Sequence, residues 1–355
     1  MDETATVAIV GAGPLGLELA IALKAVSISF LLFDRGQVGQ MIYNFPRDTR
    51  FFSSSERISI AGMPVQTKDQ QKCSREEYLA YLRTLVMGHQ LKVNSYEEVV
   101  LIEKLPSQEF KIKTQSSKGE HFYKVQYVVL ASGGTSRPCL LNVPGENLPH
   151  VSIKMDDPHR YFMKKLVVIG GKNSAAETAL RCFQAGAHVT VVHRNESLNE
   201  ASIKYWLMPE IRGRLERGEI SSYFNTEVKA IHPDSLILEN KHSHEKIEIP
   251  ADFVIKTIGF EADMHLFSQV GAELFGVEQR PVFNKETMET TASGVYVLGT
   301  VIGGTQKSYR VFIENTHIHV EKIVRTLLVN LGLSLDPLKS IPWLQECFRA
   351  KELEE

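Results

Sequence analysis

The chain is 355 residues long, with 43% hydrophobic and 23% charged side chains, an ordinary globular composition with room for two cores. Its 40 basic and 42 acidic residues leave a formal charge of −2, which gives no global drive toward nucleic acid or an anionic membrane. No apolar run is long enough to span a bilayer, and with Asp2 and Glu3 at the start a secretory signal is not expected and a cytoplasmic location is.

Residues 7–10 are four apolar residues in a row, the pattern of a strand buried on both faces. Gly11, Gly13 and Gly16 follow in G-x-G-x-x-G spacing, with Pro14 and Leu15 inside the motif and an apolar helical pattern over 17–23. Gly11 permits the tight turn, Gly13 lets a pyrophosphate approach the backbone, and Gly16 lets helix and strand pack closely. The N–H groups at the helix start then hold the phosphates. A second strand, 29–33, ends at Asp34, placed to accept hydrogen bonds from an adenosine ribose. Residues 35–55 mix glycine, hydroxyls and aromatics without a period and read as a structured loop lining the ligand crevice. It is expected to cover a flavin ring, with Arg35, Gln40 and Asn44 toward the cofactor. Ser74 to Glu77 form an S-x-x-E capping box that opens a helix to about residue 89. A third parallel strand is expected at 91–95, then antiparallel strands at 99–105, 110–114 and 122–125. A separate apolar strand at 127–130 runs into Ala131, Ser132 and Gly133.

The same order then restarts. Strand 166–169 leads into Gly170, Gly171, Lys172, Asn173, Ser174 and Ala175, a helix to about 185 and a strand at 188–193. A strand at 220–224, antiparallel strands at 228–231, 235–239 and 246–249, and an apolar strand from 252 into Ile258 and Gly259 complete the repeat. Such a duplication holds two dinucleotides most economically. Beyond 260, a strand ends at Gly299 and Thr300, and a long helix is expected from Arg310 to about Leu331. The expected fold is α/β, with two Rossmann-like dinucleotide-binding domains of three-layer ββα type. The NAD(P)-binding domain, 141–257, is inserted into a discontinuous FAD-binding domain, 1–140 and 258–332, and 333–355 form a C-terminal tail.

The two sites differ in charge. Arg194 follows the second unit's sister strand where Asp34 follows the first's. An acid there bonds ribose hydroxyls, while an arginine accepts the 2′-phosphate of NADP, with His193 and Lys204 adding positive charge. The first site should therefore take FAD and the second NADPH. One irregularity is Lys172, which stands where the second fingerprint glycine usually sits. Arg310, Val311 and Phe312, at the start of the last helix, should present N–H dipoles to the flavin. No acid–base residue is named: His317, His319 and Glu321 share that helix and read as surface or interface residues. The four cysteines, Cys73, Cys139, Cys182 and Cys347, form no C-x-x-C pair and no metal-ligand spacing, and read as reduced thiols with no metal site. The tail, with Pro337, Pro342, Trp343, Leu344 and Phe348, reads as a short docked helix or as a lid over a partner subunit's flavin.

The fingerprints, the Ala131-Ser132-Gly133 strand end, His193-Arg194, Ile258-Gly259 and Tyr309 to Phe312 resemble, in order, the thioredoxin-reductase-like flavoproteins. The strings at 42–46, 51–55, 169–175, 202–204 and 312–315 closely resemble the YpdA-type bacillithiol disulfide reductases. The resemblance covers nearly the whole chain and implies NADPH-dependent, FAD-linked reduction of a low-molecular-weight thiol disulfide by a homodimer, the disulfide entering near Tyr43 and Ser53, Ser54 and Ser55. Three departures stand out. No cysteine occurs in 151–165, where thioredoxin reductases carry their C-x-x-C pair. Leu15 stands where some YpdA-type members have a cysteine, and the flavoprotein Gly-Asp is Gly299-Thr300. Rival readings are a flavin reductase of a quinone or redox protein, a monooxygenase, and an NADPH-sensing flavoprotein without turnover.

Overall fold

The computed structural model describes residues 3–306 and 310–344; Tyr309, Cys347 and Phe348 lie outside them. The chain divides into two compact units, Met1–Arg137 with Phe260–Glu355, and Pro138–Gly259.

In the first unit, β1 (Glu3–Val10), α1 (Pro14–Ala25) and β2 (Phe30–Asp34) form the expected βαβ motif. The loop after β2 holds two single-turn helices, α2 (Gln40–Tyr43) and α3 (Ser55–Ile58), where the sequence shows no period. The helix α4 (Arg75–Gly88) opens on the full capping box, Ser74 accepting from the Glu77 N–H and Glu77 from that of Ser74. The third parallel strand shrinks to β3 (Asn94–Ser95). After β4 (Glu97–Lys104) and β5 (Phe110–Ser116), the two strands expected at 122–125 and 127–130 are one, β6 (Gly119–Leu130). It pairs antiparallel with β5 and parallel with β1, so excursion and nucleotide-binding core share one sheet of order β3-β2-β1-β6-β5-β4.

The second unit contains β7 (Val151–Ser152), β8 (Lys165–Ile169), α5 (Asn173–Gln184), β9 (His188–Val192), α6 (Met208–Glu216) and β10 (Ser221–Tyr223). Next come β11 (Thr226–Ile231), β12 (Ser235–Asn240), β13 (Lys246–Pro250) and β14 (Phe253–Lys256). Its five-stranded sheet, order β10-β9-β8-β14-β7, is parallel throughout. Leu166 and Val168 join one core with α5, while Val167 and Ile169 join another with β11–β13, which explains why the strand is apolar at every position from Leu166 on. Here the excursion is a separate antiparallel sheet. Pro250 ends β13, and the Ala251 and Asp252 N–H groups turn away to the Asp234 and Lys165 carbonyls. A proline cannot donate within a continuous ladder.

The chain returns to the first unit through α7 (His265–Gln269), whose Gln269 bonds the Val100 carbonyl and the Ile102 N–H of β4. Then β15 (Val295–Val297) pairs parallel with Val128–Leu130 of β6, on the edge opposite β1 and beyond the end of β5. The long helix expected from Arg310 begins only at Ile318, as α8 (Ile318–Asn330), after an isolated 3-10 turn at Ile313–Asn315. Side chains compete for the N–H groups here. Arg310 and Val311 donate to Gln306 Oε1 at 2.9 and 3.0 Å, and Phe312 donates to Asn315 Oδ1 at 2.8 Å. The described tail, with α9 (Asp336–Lys339), docks on its own unit, and Leu338, Ile341 and Leu344 enter that unit's core. Among the described residues no helix is long and apolar enough to cross a membrane.

Candidate functional site

At the first turn, Gly11 has φ +117°, and a Cβ there would collide with the Ala131 carbonyl oxygen. One on Gly16 would strike the carbonyl of Gly11, whereas one on Gly13 would meet nothing within 4 Å. The turn is thus closed where strand and helix pack and open at Gly13, where a pyrophosphate is expected. Pro14 opens α1, which has no capping side chain and no acid in its first turn, so its free N–H groups suit an anion. α4, in contrast, satisfies its own. Asp34 Oδ2 accepts from the Ala12 N–H and Oδ1 from the Gly36 N–H, both at 2.8 Å, leaving each oxygen a lone pair for a ribose hydroxyl. Burial raises the Asp34 pKa, against the pull of those two N–H groups and of Arg35. Between Ala131 and Gly133, the buried Ser132 Oγ has no hydrogen-bond partner among the described residues. An open cradle, an acid with spare acceptors and an orphaned hydroxyl fit the adenosine diphosphate end of FAD.

The other residues expected at this cofactor are mostly engaged with the protein itself. Arg35 donates to the Ser136 carbonyl and lies 3.9 Å from Asp263. Gln40 accepts from the Gln37 N–H at 2.9 Å and reaches Asn44 Oδ1 at 3.3 Å, shaping the α2 turn. Thr300 accepts from the Gly134 N–H at 3.0 Å, tying down the backbone beside Gly133. Leu15 is buried against Gly299, where a Cβ would lie 3.4 Å from its own. Arg310, Val311 and Phe312 depart from expectation: their N–H groups are taken by Gln306 and Asn315 and do not form a helix start. Of the expected substrate residues, the exposed Tyr43 ring lies 5.1 Å from the Arg75 guanidinium, which also donates to the Tyr43 carbonyl. Ser53, Ser54 and Ser55 lead into α3, with Ser54 at its N-cap.

The second turn repeats the first with different residues. A Cβ on Gly170 would lie 2.7 Å from the Thr257 carbonyl oxygen, so Thr257 does here what Ala131 does in the first unit. Sequence reasoning passed over it, although its place just before Ile258 and Gly259 was the available signal. Ala175 is buried where Gly16 stands in the first fingerprint. Lys172 is extended and exposed at the N-cap of α5 and makes no capping bond. Ser174 is exposed, and Asn173 Oδ1 accepts from the Lys204 N–H at 2.7 Å, bringing Lys204 to the helix start. Arg194 is exposed at the end of β9. His193 departs from expectation: its ring packs over Gly171, and burial, then Arg194, hold its pKa below the usual value. It is neutral at pH 7, so the positive charge rests with Arg194 and Lys204. An uncapped helix start beside these two fits the diphosphate and 2′-phosphate of NADPH. Ile258 is half-buried, and Gly259 lies against Cys139.

Burial pushes the thiols of Cys73 and Cys182 up to about 12, so neither is a thiolate at neutral pH. The last helix also departs from expectation. His319 is buried and accepts from the Gly299 N–H at 3.3 Å, and the buried Glu321 pairs with Arg325 at 2.7 Å. His317 bonds Glu18 at 2.8 Å, with the Glu18 side chain only 2% exposed. No local pattern marks this pair, whose members lie 299 positions apart.

Residues 8–299 match the pyridine nucleotide-disulphide oxidoreductase family. The chain belongs to that family. It is 36% identical to bacilliredoxin reductase Bdr of Bacillus subtilis, across 88% of this chain and 94% of that one. It is similar to solved structures of bacillithiol disulfide reductase Bdr (YpdA) from two other bacteria. The Bacillus cereus protein gives a TM-score of 0.86 at 33% identity, covering 92% of this chain and 100% of that one. The Staphylococcus aureus protein gives 0.84 at 34%, covering 92% and 99%. The chain is an oxidoreductase that depends on FAD and NADPH, as the family's chemistry requires.

Proposed function

We propose that this oxidoreductase reduces a low-molecular-weight thiol disulfide, bacillithiol disulfide in the first instance, with NADPH as reductant: NADPH, a proton and the disulfide give NADP⁺ and two thiols. The names of the relatives support this substrate. The observation that carries it is the pair of uncapped helix starts, one beside Asp34 and the other beside Arg194 and Lys204.

Bound FAD supplies the two-electron chemistry that links hydride donor to disulfide. The protein's share is binding and orientation. Gly11, Gly13, Gly16, Asp34 and Ser132 hold the adenosine diphosphate portion, and Thr300 keeps Gly133 and Gly134 in place beside it. Gly170, Gly171, Asn173 and Ser174 receive the NADPH diphosphate, and Arg194 with Lys204 selects its 2′-phosphate. Tyr43 and Ser53 to Ser55 face the disulfide. Leu15 offers no thiol, so the electrons reach the substrate without a cysteine at that position. Assignment of 1–140 and 258–332 to FAD and of 141–257 to NADPH belongs to this reading, as do a cytoplasmic site of action and a homodimer, the latter carried by the family resemblance.

Anaerobic addition of NADPH to the flavin-loaded protein is expected to bleach the oxidised-flavin absorbance, and bacillithiol disulfide to restore it. Restoration by a quinone or an iron–sulfur protein but by no disulfide would reject the substrate. A flavin left oxidised by NADPH would reject the reductase.

A further inference from the structure

We propose that His317 is a positioning residue for the substrate side of the flavin site, and that it does this as an imidazolium. Its neighbours dictate the charge. Nδ1 lies 2.8 Å from Glu18 Oε2, and Nε2 lies 3.1 Å from the Arg57 carbonyl oxygen. Carboxylates and carbonyls only accept, so both ring nitrogens must carry a proton. A neutral ring has one N–H and would leave one of these acceptors without a donor. The second Glu18 oxygen accepts from the Ala61 N–H at 3.0 Å. One buried pair therefore ties α1 to both ends of 57–61, the stretch directly after Ser53–Ser55, and to the N-cap of α8.

The opposite flank of this stretch is held differently. The Tyr78 hydroxyl donates to the Ile58 carbonyl at 2.7 Å, and the Tyr81 hydroxyl donates to Met63 and accepts from the Ile60 N–H, both at 2.7 Å. Burial raises the pKa of both phenols, so the α4 flank does not titrate in the working range. The α1 flank does. The charges facing His317 are Glu18 from α1, Glu314 from the turn before α8, and Arg57 from α3, whose Nε lies 3.7 Å from Glu314. Cys73, also near this cluster, stays a thiol. Burial opposes the imidazolium, but the Glu18 bond and charge, the Arg57 carbonyl and Glu314 outweigh it and raise its pKa above the usual 6.5. Loss of that proton opens one of the ring's two ties and leaves 57–61 held from the α1 side by the Ala61 bond to Glu18 and the single remaining ring bond.

The assignment of Ser53–Ser55 to the disulfide comes from the proposed function, so the test includes readouts that need no substrate. In flavin-loaded protein with nitrogen-labelled histidines, NMR should show both His317 nitrogens protonated at neutral pH, the signal identified by its loss in His317→Gln. Hydrogen exchange of the 57–61 amides, corrected for its intrinsic pH dependence, should accelerate several-fold as that proton leaves. The step should vanish in His317→Gln and move to lower pH in Glu18→Gln. KM for bacillithiol disulfide should rise several-fold over the same range with kcat unchanged, and should be raised and pH-independent in His317→Gln. A neutral His317 at pH 7, or an exchange profile without the step, overturns the proposal, and so does an exchange step with no matching change in KM. A protein that reduces no disulfide at any pH overturns the assigned substrate instead, and the NMR and exchange results still decide the tie.

Discussion

The two units repeat one order of elements yet treat its end differently. In the first, β6 runs on from the antiparallel excursion into the parallel core as a single strand of 12 residues. In the second, Pro250 stops β13, the chain turns at Ala251 and Asp252, and the excursion becomes its own sheet. The nucleotide turns diverge by the same logic. Both leave a helix start uncapped, but the first sets a half-buried carboxylate beside it and the second a basic pair. The repeated scaffold thus keeps its strands and glycine turns and differs at the two turns in a few side chains at strand ends.

The largest effect should come from Gly11→Val, which sets a branched side chain at positive φ against the Ala131 carbonyl. About 3 kcal/mol of strain and overpacking is expected, with flavin-free protein by absorbance; yellow protein of wild-type stability would contradict this. Arg194→Ala should weaken binding of 2′,5′-ADP by roughly 10- to 100-fold, the loss of charge-assisted hydrogen bonds, while flavin content stays constant. Calorimetry decides between this and an unchanged affinity, which would remove the charge contrast. Lys172→Asp sharpens the comparison by giving α5 the cap it lacks. The nucleotide-free protein should gain about 0.5–1 kcal/mol in denaturant unfolding, and KM for NADPH should rise about tenfold because an acid now competes for the phosphate N–H groups. Ser74→Ala, at a helix that already has its cap, should cost about 1 kcal/mol and leave both nucleotide affinities untouched.

The smallest effect is pH-dependent. Because the folded-state pKa of His317 is raised above 6.5, its contribution to stability is complete below about pH 6.5 and is lost as pH rises through the raised value. Thermal melts of the wild type should show that extra decline, and His317→Gln should lack it; parallel curves would contradict the imidazolium.

What could be read from the sequence was whatever local pattern encodes. The glycine turns, the Ser74–Glu77 box, the strand-end Asp34 and Arg194 and the succession of strands along the chain are all short-range signals. The start of α8 was not readable, because apolar spacing continued through Arg310–Phe312 while the side chains of Gln306 and Asn315 took their N–H groups. The continuity of β6 is not legible because Gln126 interrupts the apolar run without interrupting the ladder. The Glu18–His317 pair is a tertiary contact between distant segments, and neither residue is unusual where it stands in sequence. The neutral state of His193 depends on burial over Gly171, which no motif conveys.

The central claim is that one chain holds two nucleotides at once in pockets of unlike charge preference. Equilibrium binding of NADP⁺ and NAD⁺ to the purified yellow protein tests it most directly. The account predicts one retained FAD and one NADP⁺ per chain, with NAD⁺ bound far more weakly and FAD never displaced. Displacement of FAD by NADP⁺, or equal affinity for NADP⁺ and NAD⁺, would contradict it.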